Sequence, residues 1–245
     1  MIKIGKITLG VPGQMQIALA VGEYTDTLSS FYNNGASILE IRIDQFSNFD
    51  PEFVQSQLKQ FKKLGMPLIG TIRHASEKGK WNKTESERQK LFHTVTDLVD
   101  AIDIELSSDE INKDVSDYCK GKGKILIVSN HNFDKTPNND KLSKQFNEAK
   151  NLGADIVKLA CLAKQQDDVT RMLEFVNKNK KHGIIGISMG PIGAISRITA
   201  PLFGSLITYT STDPIYGQLS LNQLVDMRRV LYFSLNQNLI VGDLI

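Results

Sequence analysis

Short apolar runs along this chain alternate with longer stretches of helical periodicity. Residues 1–9 alternate and predict a short hairpin or plug that turns at Gly10–Gly13. Strand patterns follow at 16–21, 37–44, 67–73, 101–106, 124–131, 155–160, 183–188 and 206–210. Helical patterns stand between them at 26–33, from Asp50-Pro51 to Lys63, from the capping-box stretch at Thr84, and at about 108–119, 140–152 and 167–179, with further helix after the last two strands. Gly35 and Gly65 follow two of these helices, as residues at helix ends commonly do.

Eight strands alternating with eight helices predict a closed (β/α)8 TIM barrel with a short N-terminal hairpin. No Pro/Gly/Ser-rich linker divides the sequence, so residues 1–245 are expected to form a single barrel domain. A doubly wound open sheet competes with this reading, but no strand leads into a GxGxxG loop. A formal charge of +2, without a dense Lys/Arg patch bearing interleaved aromatics, gives no case for nucleic acid or a membrane surface. Cys119 and Cys161 make neither a disulfide framework nor a zinc spacing and suit a reducing cytosol. The N-terminus has no signal-like apolar core, and no run of about 18 apolar residues occurs. The expectation is a soluble cytoplasmic protein.

In such barrels the inward residues at the carboxyl ends of the strands build the active site. DIVKLA, residues 155–160, puts Lys158 on the face shared by Ile156 and Ala160. Apolar surroundings are expected to lower its pKa and free the amine as a nucleophile for a carbonyl. The plainer alternative is a lysine leaving an edge strand for solvent. In the second strand Glu40, Arg42 and Asp44 share one face, either as a structural ion-pair ladder or as part of a site. Arg73 ends the third strand, with Glu77 four residues on, and the fourth carries Asp103 and Glu105 on one face. His131 ends the fifth on the face of Ile127 and Ser129, where it suits a general base or a polar exit from the strand. Residues 188–197, SMGPIGAISR, join a glycine turn to Arg197, a candidate for a carboxylate or phosphate. The loop STDPIYGQ, 211–218, suits a lid.

One lysine, one histidine, three arginines and several carboxylates at one rim ask for a small anionic, hydroxylated carbonyl compound. The guanidinium groups are expected to help keep Lys158 neutral. No metal-ligand spacing or cofactor loop is evident. A class I aldolase or transaldolase would also use a barrel lysine, and a non-catalytic barrel that binds a small acid is a third reading.

The blocks EIRID at 40–44, TIR to Glu77 at 71–77, SNHNF at 129–133, ADIVKLA at 154–160, SMGPIGAISR at 188–197 and GQ at 217–218 together resemble the type I 3-dehydroquinate dehydratases. The resemblance implies the same barrel and a Schiff base between Lys158 and the ketone of 3-dehydroquinate. It implies His131 as general base and acid, Glu77 as its orienting partner, and Arg197 on the substrate carboxylate with Gln218 closing from the lid. Glu40, Arg42 and Arg73 would hold ring hydroxyls and the electrostatic frame. It also implies no metal or cofactor, a homodimer, and a place in the shikimate route to aromatic amino acids. Two departures fall on the rim. The usual lid serine has no fixed counterpart, Ser211 and Thr212 being the candidates, and a customary glycine pair is Lys78-Gly79-Lys80 here.

Overall fold

The structure, a computed structural model, describes residues 1–28, 34–215 and 217–236, the last four by backbone alone. Ten strands run in chain order: β1 Lys3–Ile4, β2 Ile7–Thr8, β3 Ile17–Val21, β4 Ile38–Arg42, β5 Leu68–Thr71, β6 Ala101–Glu105, β7 Ile125–Asn132, β8 Ile156–Leu162, β9 Ile184–Met189 and β10 Thr208–Ser211. The helices described are α1 Pro51–Lys63, α2 Glu85–Thr96, α3 Asn112–Gly121, α4 Asn139–Asn151, α5 Gln166–Asn179, α6 Ser196–Phe203 and α7 Leu221–Asn236. β3 to β10 form one all-parallel sheet in the order β10-β3-β4-β5-β6-β7-β8-β9. The barrel is nearly closed: the β9–β10 seam is spanned by Leu206 N–H donating to Ile184 O at 2.9 Å and by Gly186 N–H donating to Ser205 Oγ at 3.2 Å.

The alternation in the strands sorts side chains into two shells. Leu39, Ile41, Ile102, Ile104, Val157 and Leu159 face outward against the helices, whose buried stripes include Val54, Leu58 and Phe61 of α1. Ala18, Ile38, Ile69, Ala101, Ile127, Ile156 and Ile185 fill the lower interior. The hairpin β1–β2 plugs that end, with Ile4 and Leu9 buried in the same cluster. Its turn lies at Gly5-Lys6 rather than at Gly10–Gly13. Gly5 takes φ +52, and a Cβ there would meet the side chains of Pro67 and Asp100 at 3.2 and 3.3 Å.

Local capping follows the sequence closely. Asp50 accepts from the amides of Glu52 and Phe53 ahead of Pro51, and Thr84 and Glu87 close a reciprocal capping box. Among the expected bounds that shift, three have a local cause. The strand expected to reach Asp44 stops at Arg42 and passes into a single 3-10 turn, Ile43–Gln45. The strand expected to reach Arg73 stops at Thr71, and the Arg73 carbonyl accepts from Trp81 N–H as the chain turns away. The helix expected from Ser108 starts at Asn112, because Ser108 O takes the Ile111 and Asn112 amides in a preceding turn. Most of the helix expected at 26–33, and the apolar tail 239–245, fall outside the described residues. Among the described residues no helix is long and apolar enough to cross a membrane.

Candidate active site

Above its apolar floor the barrel interior turns polar. Glu40, Thr71, Arg73, Asp103, Glu105, Ser129 and Lys158 are all buried there. They open into a cleft of about 510 Å³ at the carboxyl ends of the strands. Ten of the residues singled out from the sequence line this one cleft, Glu40, Arg42, Arg73, Glu77, His131, Lys158, Arg197, Ser211, Thr212 and Gln218, while Asp44, Asp103 and Glu105 lie outside its lining.

Lys158, on β8, is 3% exposed. Its Nζ donates to Asp103 Oδ2 at 2.9 Å and to Glu40 Oε1 at 3.1 Å, and it stands 4.1 Å from the centre of the Tyr209 ring. Burial pulls its pKa down, but Asp103 and then Glu40 outweigh burial and leave it above the ordinary lysine value. The expected lowering is therefore reversed. Ile156 and Ala160 are its neighbours along the strand, whereas its charge partners reach it across the barrel. Arg73 pushes the other way, too weakly to hold the amine neutral. At rest the site contains an ammonium caged by two carboxylates.

Asp103 is shared. Its Oδ1 accepts from Arg73 Nη2 at 3.0 Å and from Ser129 Oγ at 2.6 Å. Despite burial, Lys158 and Arg73 hold its pKa well below the usual carboxylate range. Arg73 also reaches Glu105 Oε1 at 3.1 Å, and Glu105 Oε2 accepts from the fully buried Arg88 at 3.0 Å. Arg42, at the end of β4, grips Asp44 through two hydrogen bonds of 2.9 and 2.8 Å, and Asp44 Oδ2 accepts from Lys80 N–H. A local ladder and a site thus coexist in EIRID. Glu40 faces Lys158, while Asp44 anchors the following loop.

His131 lies on β7, paired with Ala160 of the neighbouring strand. Its Nδ1 is 2.8 Å from Glu77 Oε2, which also accepts its backbone N–H at 3.1 Å. Burial, then the positive charges of Arg73 and Lys158, hold the imidazole well below its ordinary pKa, so it is neutral near pH 7. Burial pushes the Glu77 carboxyl up to about 7, against the pull of Arg73 and of Ser107 Oγ, which donates to Oε1 at 2.7 Å. With Glu77 ionised, Nδ1–H donates to it and Nε2 is the imidazole's acceptor nitrogen.

Arg197 forms no ion pair with any described residue. Its Nη1 donates to Tyr209 O at 2.9 Å and its Nε to Gly217 O at 3.3 Å. Burial lowers its pKa to about 10, still charged at neutral pH. It is a buried cation suited to an anionic ligand. In the lid, Gln218 Oε1 lies 3.0 Å from Ser211 Oγ and accepts the Ile215 amide at 3.1 Å. Of the two candidates for the lid serine, Ser211 is therefore the one whose side chain meets Gln218. Sequence reasoning left Tyr209 without a role and gave Asp103 none beyond its face, although strand alternation points both inward.

A family model described as type I 3-dehydroquinase matches residues 18–235. The chain belongs to the type I 3-dehydroquinase family. Membership makes it an enzyme of the hydro-lyase class and displaces the aldolase and ligand-binding alternatives. The 3-dehydroquinate dehydratase of Aquifex aeolicus is 36% identical over 211 residues, covering 85% of this chain and 94% of that one. That of Hydrogenobaculum sp. is 37% identical over 220 residues, covering 89% and 99%. The crystal structure of a type I 3-dehydroquinate dehydratase from Clostridium difficile, with covalently modified comenic acid, superposes with a TM-score of 0.87. It is 28% identical and covers 95% of this chain and 98% of that one. The family barrel and the barrel expected from periodicity are the same fold.

Proposed function

We propose that this chain dehydrates 3-dehydroquinate to 3-dehydroshikimate through an imine on Lys158. The observation that carries the reading is a caged lysine and a neutral, Glu77-bound histidine facing one cleft that also holds the unpaired Arg197. Arg197 binds the substrate carboxylate, and Gln218 covers it from the lid. Lys158 gives up a proton to neutral His131, and the free amine adds to the ketone carbon. His131 gives that proton to the hydroxyl of the adduct, which leaves as water, so that a protonated imine and a neutral His131 remain. Asp103 and Glu40, which hold the resting ammonium, then stabilise the iminium cation that replaces it. His131 Nε2 removes a proton from the neighbouring carbon, giving an enamine, and returns a proton to the departing hydroxyl as it leaves as water. Hydrolysis of the imine releases the enone and restores Lys158. Glu40, Arg42 and Arg73 orient the ring hydroxyls, and Glu77 keeps the His131 ring in its basic tautomer.

The same reading takes the chain as one domain acting as a cytoplasmic homodimer in the shikimate route, with neither metal nor cofactor. The test is borohydride reduction in the presence of 3-dehydroquinate, followed by peptide mass mapping and ultraviolet detection of the enone. A substrate-sized adduct on the Lys158 peptide, with enone formed by the untreated enzyme, is expected. Trapping on another lysine, or none with no enone, would overturn the proposal. In His131→Ala the adduct should still form while turnover falls about 10²–10⁴-fold.

A further inference from the structure

Lys78 follows Glu77 directly and is, among the described residues, the only one other than glycine with a positive φ. Its φ of 58° and ψ of 26° lie in the left-handed region, which a lysine occupies less readily than glycine. The neighbouring Gly79 is fixed for a different reason: a Cβ there would meet the Arg73 carbonyl oxygen at 1.9 Å. The loop therefore tolerates a side chain at 78 and none at 79. The residue that carries it is exposed and lines the active-site cleft. Its ammonium forms no ion pair with any described residue and rests 4.3 Å from the centre of the Phe133 ring. Phe133 in turn lies nearly parallel to the His131 imidazole, 6.1 Å away. Deeper in the cleft Lys158, Arg73 and Arg42 are bound to carboxylates. The acidic lid residue Asp213 shares the lining.

We propose that Lys78 is a substrate-capturing cation at the mouth of the cleft, which draws the carboxylate-bearing substrate inward before Arg197 takes it. The inference rests on the dehydratase reading for the identity of that substrate. A strained backbone position carrying a long cation that serves no internal ion pair is accounted for by an external anion. The charge acts on encounter and not on the reacting bonds, so it belongs to kcat/KM and to its salt dependence. Phe133 holds the ammonium over the opening without neutralising it, as a carboxylate would.

Turnover of 3-dehydroquinate by wild type, Lys78→Met, Lys78→Gly and Lys78→Arg across ionic strength tests this. Lys78→Met and Lys78→Gly should lose about two- to tenfold in kcat/KM at low salt with kcat retained, as removal of one partly screened charge allows. The deficit should vanish near 0.5 M salt (~4 Å screening length), and Lys78→Arg should behave as wild type. Lys78→Gly should melt no lower than wild type, because it relieves the positive φ. The proposal is overturned if the neutral variants keep the wild-type kcat/KM and salt slope. It is equally overturned if kcat falls as much as kcat/KM at every salt concentration, which would mean a damaged Glu77 loop. Calorimetric titration with quinate, an unreactive hydroxy-acid, separates this from failure of the dehydratase reading. If wild type makes no enone yet binds quinate more tightly than Lys78→Met only at low salt, capture stands and dehydration falls. Equal binding removes the capture role.

Discussion

Lys158 Nζ sits 2.9 Å from Asp103 Oδ2, joining two residues 55 positions apart in the chain. That contact, with Glu40 beside it, decides the charge of the nucleophile. Asp103→Asn leaves Lys158 and Arg73 facing a neutral amide in a buried site. Breaking such a pair typically costs about 3 kcal/mol or more, and roughly 6–12 °C of Tm at this chain length. The sign with pH follows from the shifts. Asp103, with a depressed pKa, stabilises the fold above its unfolded value and ceases to as pH falls. Lys158, with a raised pKa, stabilises it below its unfolded value and ceases to as pH rises through the folded one. The variant should therefore gain most of its deficit near neutrality, and a Tm there equal to wild type would refute the cage.

Activity should rise with pH through about 7, where Glu77 ionises. Below that, a protonated Glu77 donates to His131 Nδ1 and shifts the imidazole proton to Nε2, which removes the base. The Ser107 hydroxyl favours the ionised carboxylate, so Ser107→Ala should move this acid limb to higher pH with the plateau kept. A kcat/KM profile with an unmoved limb would show that Glu77 does not set it.

Arg197 is a buried cation whose hydrogen-bond partners among the described residues are the carbonyl oxygens of Gly217 and Tyr209. Arg197→Met should raise KM by roughly 10–100-fold, the worth of a charge-assisted hydrogen bond of about 1.5–3 kcal/mol. Its melting point should hold or rise, because an unpaired buried charge is removed. Steady-state kinetics beside thermal melts check this; lower stability with unchanged KM would contradict it.

Tyr209 carries a buried hydroxyl with no hydrogen-bond partner among the described residues, while its ring faces Lys158. Tyr209→Phe should be neutral or stabilising by up to about 1 kcal/mol, since no bond is lost. Tyr209→Ala should cost about 3–5 kcal/mol from the cavity and the lost ring face. Denaturant unfolding of both variants separates the roles of ring and hydroxyl; a Phe variant as unstable as the Ala variant would refute this.

The barrel was legible because period-two alternation is a property of each strand taken alone, and it put Lys158, His131 and Glu40 inward without knowledge of their neighbours. The charge state of Lys158 was not. Its partners come from β4 and β6, and which residues meet across a closed sheet depends on register and shear, which no single strand encodes. The hairpin turn went astray for a simpler reason. Gly5, Gly10 and Gly13 all take positive φ, so the sequence offered three turn sites. The orienting role of Glu77 came from resemblance, and its grip on His131 depends on a loop fold that spacing alone does not dictate.

The seam between β9 and β10 divides the cleft unequally. Lys158 and His131 ride on strands paired without a break from Ile127 and Ile156 to Asn132 and Cys161. Arg197 and the lid follow β9 and β10, which are joined, among the described residues, by hydrogen bonds from β9 to Ser205 and Leu206 just ahead of β10. Bond-making groups thus ride on continuously paired strands, and the groups that grip the ligand follow the two strands of the seam. Remodelling the seam is accordingly a route to new substrate preference that leaves the reaction intact.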